Sequence, residues 1–381
     1  MIKTIIYIFT LLFALSCSTT KYVPDGDRLY IGIKDIEFVD AEENATGSVG
    51  ETAMEEVKYA LEYAPNGSIA GSSSLRGLPL GLWWYNALHN SESKLGKWFF
   101  NVFAKEPVLL SKVNPDLLAD VAANVLKYYG YFNGKVKANI IPSKRNEKKA
   151  KVSYTIELGQ PFHYDSISYR NFSHNADSLI QNSMNERLIH IGEQFNAAAM
   201  ESERARICNM LRNNGYYYFQ PEYINFLADT INKPGYANIR VQPVSNMPLQ
   251  ANEVRKIGKI TINVLNNETS NSRNRRIQND TITRGNITYI YNGKKMPVRA
   301  GVLLRNIQIR SGELYSQDKQ QNAMQRLSQM NIFNNFRLNL VPHTDSDLLD
   351  LDITTQLDKP YDFTFELNAT SKSNNQIGPG S

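Results

Sequence analysis

One spacing occurs three times along this chain: Leu126-x-x-x-Gly130-Tyr131-Phe132, Leu211-x-x-x-Gly215-Tyr216-Tyr217 and Leu327-x-x-x-Asn331-Ile332-Phe333. Each instance closes an amphipathic helical stretch and opens an extended one. The last core leucine stands one turn before a Gly or Asn that can take the left-handed cap conformation, and bulky strand formers follow. A single instance would be an ordinary helix stop. Three in one register predict a single supersecondary unit used three times.

The flanks repeat as well. After each exit come an extended stretch, a polar spacer and an alternating run that ends shortly before proline. These runs are Val152-Ser153-Tyr154-Thr155-Ile156 before Pro161, Ile239-Arg240-Val241 before Pro248, and Leu349-Asp350-Leu351-Asp352-Ile353 before Pro360. Period-two alternation with one apolar face predicts a sheet covered on one side. Upstream of the helices, residues 31–39, 163–170 and 257–265 read as further strands. Gly192-Glu193-Gln194-Phe195-Asn196 is similar to Gly312-Glu313-Leu314-Tyr315-Ser316, and each opens the last helix of its unit with a polar cap residue. The expected fold class is therefore α+β, in tandem strand-helix-helix-strand-strand units. Their spans are 27–160 with an aromatic insertion at 65–110, 161–248, and 249–362 with a polar insertion at 266–300. Residues 266–280, which include Arg273, Arg275 and Arg276, read as a polar hairpin.

The N-terminus predicts the compartment. Met1-Ile2-Lys3 is followed by an apolar run at 5–15, broken only by Thr10, and then by Ser16-Cys17. The run is far shorter than the ~20 residues of a spanning helix, so it reads as the core of a secretory signal. A cysteine directly after such a core resembles a bacterial lipoprotein signal. That resemblance implies a signal peptide at 1–16, an acylated Cys17 heading the mature chain, and a short linker at 17–26. No acidic cluster follows Cys17, unlike in surface-exported lipoproteins of some Gram-negative lineages, so a periplasm-facing anchor is expected.

Several function classes are excluded by counting. Lys+Arg 42 against Asp+Glu 37, a net +5, is too slight a surplus for a nucleic-acid partner, and Cys 2 cannot make a disulfide scaffold. Cys208, in a helical setting with no activating neighbour pattern, is expected to be a buried core residue. His89, His163, His174, His190 and His343 show no metal spacing, and no phosphate-binding glycine loop occurs. The cluster Asp345, Asp347, Asp350 and Asp352 alternates with Leu349 and Leu351 and lacks the glycine of a calcium loop, so it reads as a solvated strand face. No catalytic residue, metal or cofactor is expected.

Taken together, the units and their glycine-aromatic helix exits resemble POTRA domains, the periplasmic modules of outer-membrane assembly proteins of the BamA and TamA type. The lipoprotein branch, TamL-like proteins, is the most similar, since Leu82-Trp83-Trp84-Tyr85-Asn86 and Glu106-Pro107-Val108-Leu109-Leu110 are similar to segments of it. The resemblance covers residues 17–370. It implies a scaffold in the periplasm, held to the outer membrane through Cys17. Its implied partners are unfolded outer-membrane protein clients and other envelope assembly proteins, with clients captured by β-augmentation on sheet edges. The edges it implies are residues 135–141, 217–227 and 336–341, with Lys135, Val136, Ile140, Tyr217, Phe219, Phe336, Leu338 and Leu340 as the candidate contact residues. The family continues into a β-barrel; residues 363–381 read as its first strand, cut short. The alternative is a lipid-anchored docking scaffold for another envelope complex, without a barrel of its own.

The aromatic insertion has two readings. Trp83, Trp84, Tyr85, Trp98, Phe99, Phe100 and Phe103 are expected to pack onto the first unit, as aromatic stripes usually do. With Lys94, Lys97 and Lys105 among them, they also suit an interfacial segment at a membrane surface.

Overall fold

The computed structural model describes residues 19–45, 47–75, 77–265, 279–292, 296–358, 369–371 and 377–379. They divide into two compact units, Met1–Ser168 with Arg187–Glu203 and Phe226–Val241, and Tyr169–Glu186 with Arg204–Asn225 and Gln242–Ser381. The expected signal peptide and Cys17 lie outside the described residues, as do residues 363–368, 372–376 and 380–381 of the expected barrel strand.

In the first unit, β1 (Leu29–Phe38) is followed by α1 (Gly47–Leu61), α2 (Leu80–Leu88), α3 (Lys94–Phe103), α4 (Pro115–Tyr128), β2 (Lys135–Ser143) and β3 (Asn146–Glu157). The sheet runs β1-β3-β2, with β1 parallel and β2 antiparallel to β3. Alternation decides the faces: Ala150, Val152, Tyr154 and Ile156 of β3 are all buried. They meet Ala53, Val57 and Leu61 of α1 and Ala119, Ala122 and Leu126 of α4, spaced three and four apart. Each large apolar side chain so covered contributes about 1.5–3 kcal/mol. The start of α4 is fixed by Pro115 at its first turn and by Asn114, whose side chain accepts the Leu117 N–H.

Two groups in this core yield predictions. The Tyr154 hydroxyl is buried with no hydrogen-bond partner among the described residues, and burial pushes its pKa up to about 12. Tyr154→Phe removes an unsatisfied polar atom and keeps the ring, so it should be neutral or stabilise by about 1 kcal/mol in urea unfolding. Asp40 joins the end of β1 to the end of β3: its carboxylate accepts the N–H groups of Leu158 at 2.8 Å and Gly159 at 2.7 Å, and the Asn44 amide at 2.9 Å. Burial alone would raise its pKa, but these hydrogen bonds hold it below the ordinary carboxylate value. A depressed folded-state pKa means stability that is present above the unfolded value, near 4, and lost as pH falls through the folded value. Asp40→Asn should therefore flatten the acid limb of the stability–pH curve below about pH 4.

A second three-stranded sheet, β4 (His163–Tyr169), β6 (Tyr236–Pro243) and β5 (Ile224–Asp229), runs β4-β6-β5. Between β4 and β5 the chain forms α5 (His174–Asn182) and α6 (Ala197–Asn213).

The second unit contains β7 (Lys256–Leu265), β8 (Asn279–Arg284), β9 (Ile287–Asn292), α7 (Ala300–Ile307), α8 (Gln317–Gln329), β10 (Phe333–Pro342) and β11 (Leu348–Leu357). Its sheet runs β10-β11-β7-β9-β8. Here β7 is parallel and β10 antiparallel to β11, the pattern of β1, β2 and β3 again, while the β8-β9 hairpin adds to the far side of β7. That hairpin belongs to the expected polar insertion, of which residues 266–278 and 293–295 lie outside the described residues. The core gathers Ile260, Ile262, Leu327, Leu351 and Ile353 with Tyr289 and Tyr315. Past it, β12 (Ala369–Ser371) and β13 (Ile377–Pro379) pair antiparallel.

These three sheets therefore share one arrangement, in which the last strand lies between the first strand and the strand just before it in sequence. The α+β class and the strand-helix-helix-strand-strand order expected from the sequence are found.

Candidate functional site

The helix exits behave as their spacing demands. Gly130 has φ +87°, Gly215 +99° and Asn331 +52°, and the leucine one turn earlier is fully buried in each case. Tyr131 N–H closes on Leu126 C=O at 3.0 Å and Tyr216 N–H on Leu211 C=O at 3.2 Å, the six-to-one bond of a left-handed helix terminus.

Each exit then leads into the next-to-last strand of its sheet, β2, β5 or β10, and that strand lies at the sheet's edge. Among the described residues nothing pairs with the outer side of β2, β5 or β10. Lys135, Val136 and Ile140 lie on β2, and Phe336, Leu338 and Leu340 on β10, as expected. Val136 packs on the first core, and Phe336, Leu338 and Leu340 on the core of the second unit. Lys135 and Ile140 are exposed, and the outer backbone of both strands is unpaired among the described residues. The expectation for Tyr217 and Phe219 is corrected: both precede β5, which begins only at Ile224. Aromatic residues after Gly215 suggest a strand, but Phe219 N–H returns to Tyr216 C=O at 3.1 Å in a turn, and a single 3-10 turn, Pro221–Tyr223, intervenes.

The structure also joins two motifs that are separate in the sequence. In the first unit, Phe162 N–H donates to Gly130 C=O at 2.9 Å, and Phe195 N–H donates to Phe162 C=O at 2.7 Å. Phe132 meets Phe162 and Phe195 edge-on, each at 5.0 Å, and the Gln194 amide donates to Tyr129 C=O at 2.9 Å. In the second unit, Arg255 N–H donates to Gly215 C=O at 2.8 Å, Tyr315 N–H donates to Arg255 C=O at 2.9 Å, and Tyr217 meets Tyr315 edge-on at 5.0 Å. The flanking bonds match too: Gly192 N–H to Tyr164 C=O at 2.8 Å, and Gly312 N–H to Ile257 C=O at 2.7 Å. The Gly-Glu-x-aromatic segment is therefore the seat on which the preceding exit docks, as well as a helix opener. At the third exit, Asp358 N–H reaches Ile332 C=O at 2.9 Å and the Ile332 side chain is exposed.

Arg255 adds a buried charge to its joint. Its guanidinium pairs with Glu253 at 2.5 Å, donates to the carbonyls of His343 and Ser346, and lies 5.6 Å from the Tyr218 ring. No signal in the sequence marks it; an arginine where the first joint has Phe162 breaks the pattern.

The packing expectation fails for five of the seven aromatics of the insertion; Tyr85 and Phe100 are half-buried, with their rings 5.5 Å apart. Trp83, Trp84, Trp98, Phe99 and Phe103 are all more than a third exposed, while Leu82, Asn86 and Gly96 form the buried side of the two helices. A Cβ on Gly96 would clash with Ser91 Oγ and stand 2.8 Å from Ser93 Oγ.

Several of the polar groups singled out in the sequence have structural partners. Cys208 is buried in α6 and burial pushes its thiol up to about 11, the reverse of an activated nucleophile. His343 lies 2.9 Å from Asp350, which also accepts the Lys259 N–H at 2.7 Å, and Asp347 faces Lys256 at 3.5 Å.

No family model matches the sequence, and no curated protein matches it. Among solved structures, the third to fifth POTRA domains of Haemophilus influenzae BamA are similar at 12% identity, covering 88% of this chain and 99% of that one, with a TM-score of 0.37. The N-terminal domain of Omp85 from Thermosynechococcus elongatus is similar at 13% identity, over 71% of this chain and 94% of that one, at 0.24. POTRA1-3 of the periplasmic domain of Omp85 from Anabaena is similar at 12% identity, over 70% and 90%, at 0.23.

Proposed function

We propose that this chain is the periplasm-facing scaffold region of an outer-membrane protein assembly or translocation factor, anchored through an acylated Cys17. It binds extended client segments by β-augmentation and carries out no catalysis. The scaffold consists of three units, 27–160, 161–248 and 249–362. Its partners are unfolded outer-membrane protein clients and other assembly proteins of the envelope.

The observation that carries this reading is the recurrence of one open edge on three alike sheets: β2, β5 and β10 each leave one side unpaired among the described residues. An unpaired strand edge is an aggregation hazard that proteins normally cover. Repeating it three times is what a receptor for extended chains requires, because main-chain hydrogen bonds supply affinity with little demand on client sequence. Polar or charged Lys137, Asn139, Arg337 and Asn339 on these strands are exposed, which guards an edge against its own kind without blocking a client.

Intact mass and membrane fractionation of the protein expressed from its own locus test the anchor. A species acylated at Cys17 in outer membranes is expected. A soluble, unacylated species would remove the lipid anchor from the proposal.

A further inference from the structure

The two helices of the insertion turn their apolar stripes to solvent. On α3, Leu95, Trp98, Phe99 and Val102 are exposed, at the i, i+3, i+4, i+7 spacing of a single helix face; on α2, Trp83 and Trp84 are. The rings gather across the helices: Trp84 stacks on Phe99 at 5.7 Å and leans on Phe103 at 5.9 Å, and Trp98 meets Phe99 edge-on at 4.9 Å. The result is one contiguous aromatic ridge in water, whereas single scattered apolar residues are what an ordinary surface shows.

Charge and position select what covers it. Lys94, Lys97 and Lys105 border the ridge, and none of them has an ion-pair partner among the described residues. Tryptophan rings beside such lysines match the boundary between acyl chains and anionic headgroups. On its other side α2 meets Tyr22, whose ring lies 6.1 Å from Tyr85 and 4.7 Å from His89. Four residues separate Tyr22 from Cys17, five Cα-to-Cα steps that reach at most about 18 Å when extended. We infer that the α2–α3 hairpin lies in the headgroup boundary of a lipid bilayer, with Trp84, Trp98, Phe99 and Phe103 inserted and the lysines among anionic headgroups. The acyl chain and the hairpin then hold the first unit to one surface; that last step rests on the reading of Cys17 as acylated, and the hairpin's own binding does not.

The test uses the chain's own reporters, since Trp83, Trp84 and Trp98 are its only tryptophans. The unacylated chain 18–381 is mixed with vesicles of phosphatidylethanolamine and phosphatidylglycerol. Tryptophan emission should shift to the blue, be quenched by lipids brominated on the acyl chains, and stay shifted in ~1 M NaCl, where the screening length is about 3 Å. The double variant Trp98→Ser with Phe103→Ser should lower the partition coefficient in co-sedimentation at least about tenfold. Its far-UV circular dichroism and the urea unfolding of the first core should match the parent, because neither side chain belongs to that core. No shift at saturating lipid, a shift abolished by salt alone, or a folded double variant that binds like the parent would each overturn the inference. Running the same readout on native protein of known acylation separates the two ideas. An acylated chain whose tryptophans stay unshifted defeats the hairpin and leaves the anchor standing, whereas an unacylated native chain whose tryptophans shift upholds the hairpin and defeats the anchor.

Discussion

Gly130→Ala should destabilise the first unit by about 2–4 kcal/mol, and two other glycines provide the comparison that assigns the loss to the joint. At φ +87° an alanine costs roughly 1–2 kcal/mol in backbone conformation. The new Cβ would also stand 2.8 Å from the backbone oxygen of Phe195 and 3.0 Å from its Cβ, so the seat of the exit must move, adding about 1–2 kcal/mol of strain. Gly192 and Gly312 have nearly the same dihedral, +86° and +87°, with nothing within 4 Å of the methyl group that an alanine would carry there, so Gly192→Ala and Gly312→Ala should show only the first cost. Gly215→Ala should fall between, because its nearest neighbour, Val254 Cγ1 at 2.6 Å, is a side-chain atom. Urea unfolding followed by circular dichroism and by hydrogen exchange at Phe162 and Phe195 reads the effect locally, which suits a chain of several units better than one global midpoint. Equal losses at Gly130 and Gly192 would mean that the joint contributes nothing beyond its backbone conformation.

How far the sequence reveals this architecture depends on whether a signal is local. Strands expected at 31–39, 163–170 and 257–265 are found at Leu29–Phe38, His163–Tyr169 and Lys256–Leu265, because period-two alternation is written into consecutive residues. The helix exits are legible for the same reason: a leucine, a residue tolerant of positive φ and an aromatic lie within seven positions. The joints are not legible as joints. Phe132 and Phe195 are far apart in sequence, and each has a sufficient local explanation, one as a strand start and the other as a neighbour of a helix cap. Tyr217 and Phe219 fall outside their expected strand because aromatic content signals a strand without saying where the turn after Gly215 ends. The insertion shows a further limit: periodicity of Leu95, Trp98, Phe99 and Val102 establishes that a helix has an apolar face, and says nothing about which way that face points.

On β2, Asn139→Pro and Ile140→Pro should part company, one losing stability and the other losing client. Successive N–H groups of a strand point to opposite sides, so one of these two donates within the β2-β3 ladder and the other faces the open edge. Proline at the inward position removes a ladder bond and should cost about 1–3 kcal/mol in urea unfolding of the first unit. Proline at the outward position leaves the ladder intact, changes stability by under about 1 kcal/mol, and deprives an augmenting strand of a donor while its ring obstructs the approach. Anisotropy of a labelled extended peptide should then show binding weakened about tenfold at that edge, equivalent to about 1.4 kcal/mol. Because β5 and β10 offer edges of the same kind, one proline lowers only the share of binding that β2 carries, and outward prolines on all three edges together should show the full loss. If the triple variant stays folded and binds the peptide as the parent does, main-chain pairing is not how clients are held, and the open edges need another explanation. If the inward proline unfolds its sheet while the outward ones abolish capture, affinity resides in the backbone of the edge strands, which is what allows one scaffold to accept clients of unrelated sequence.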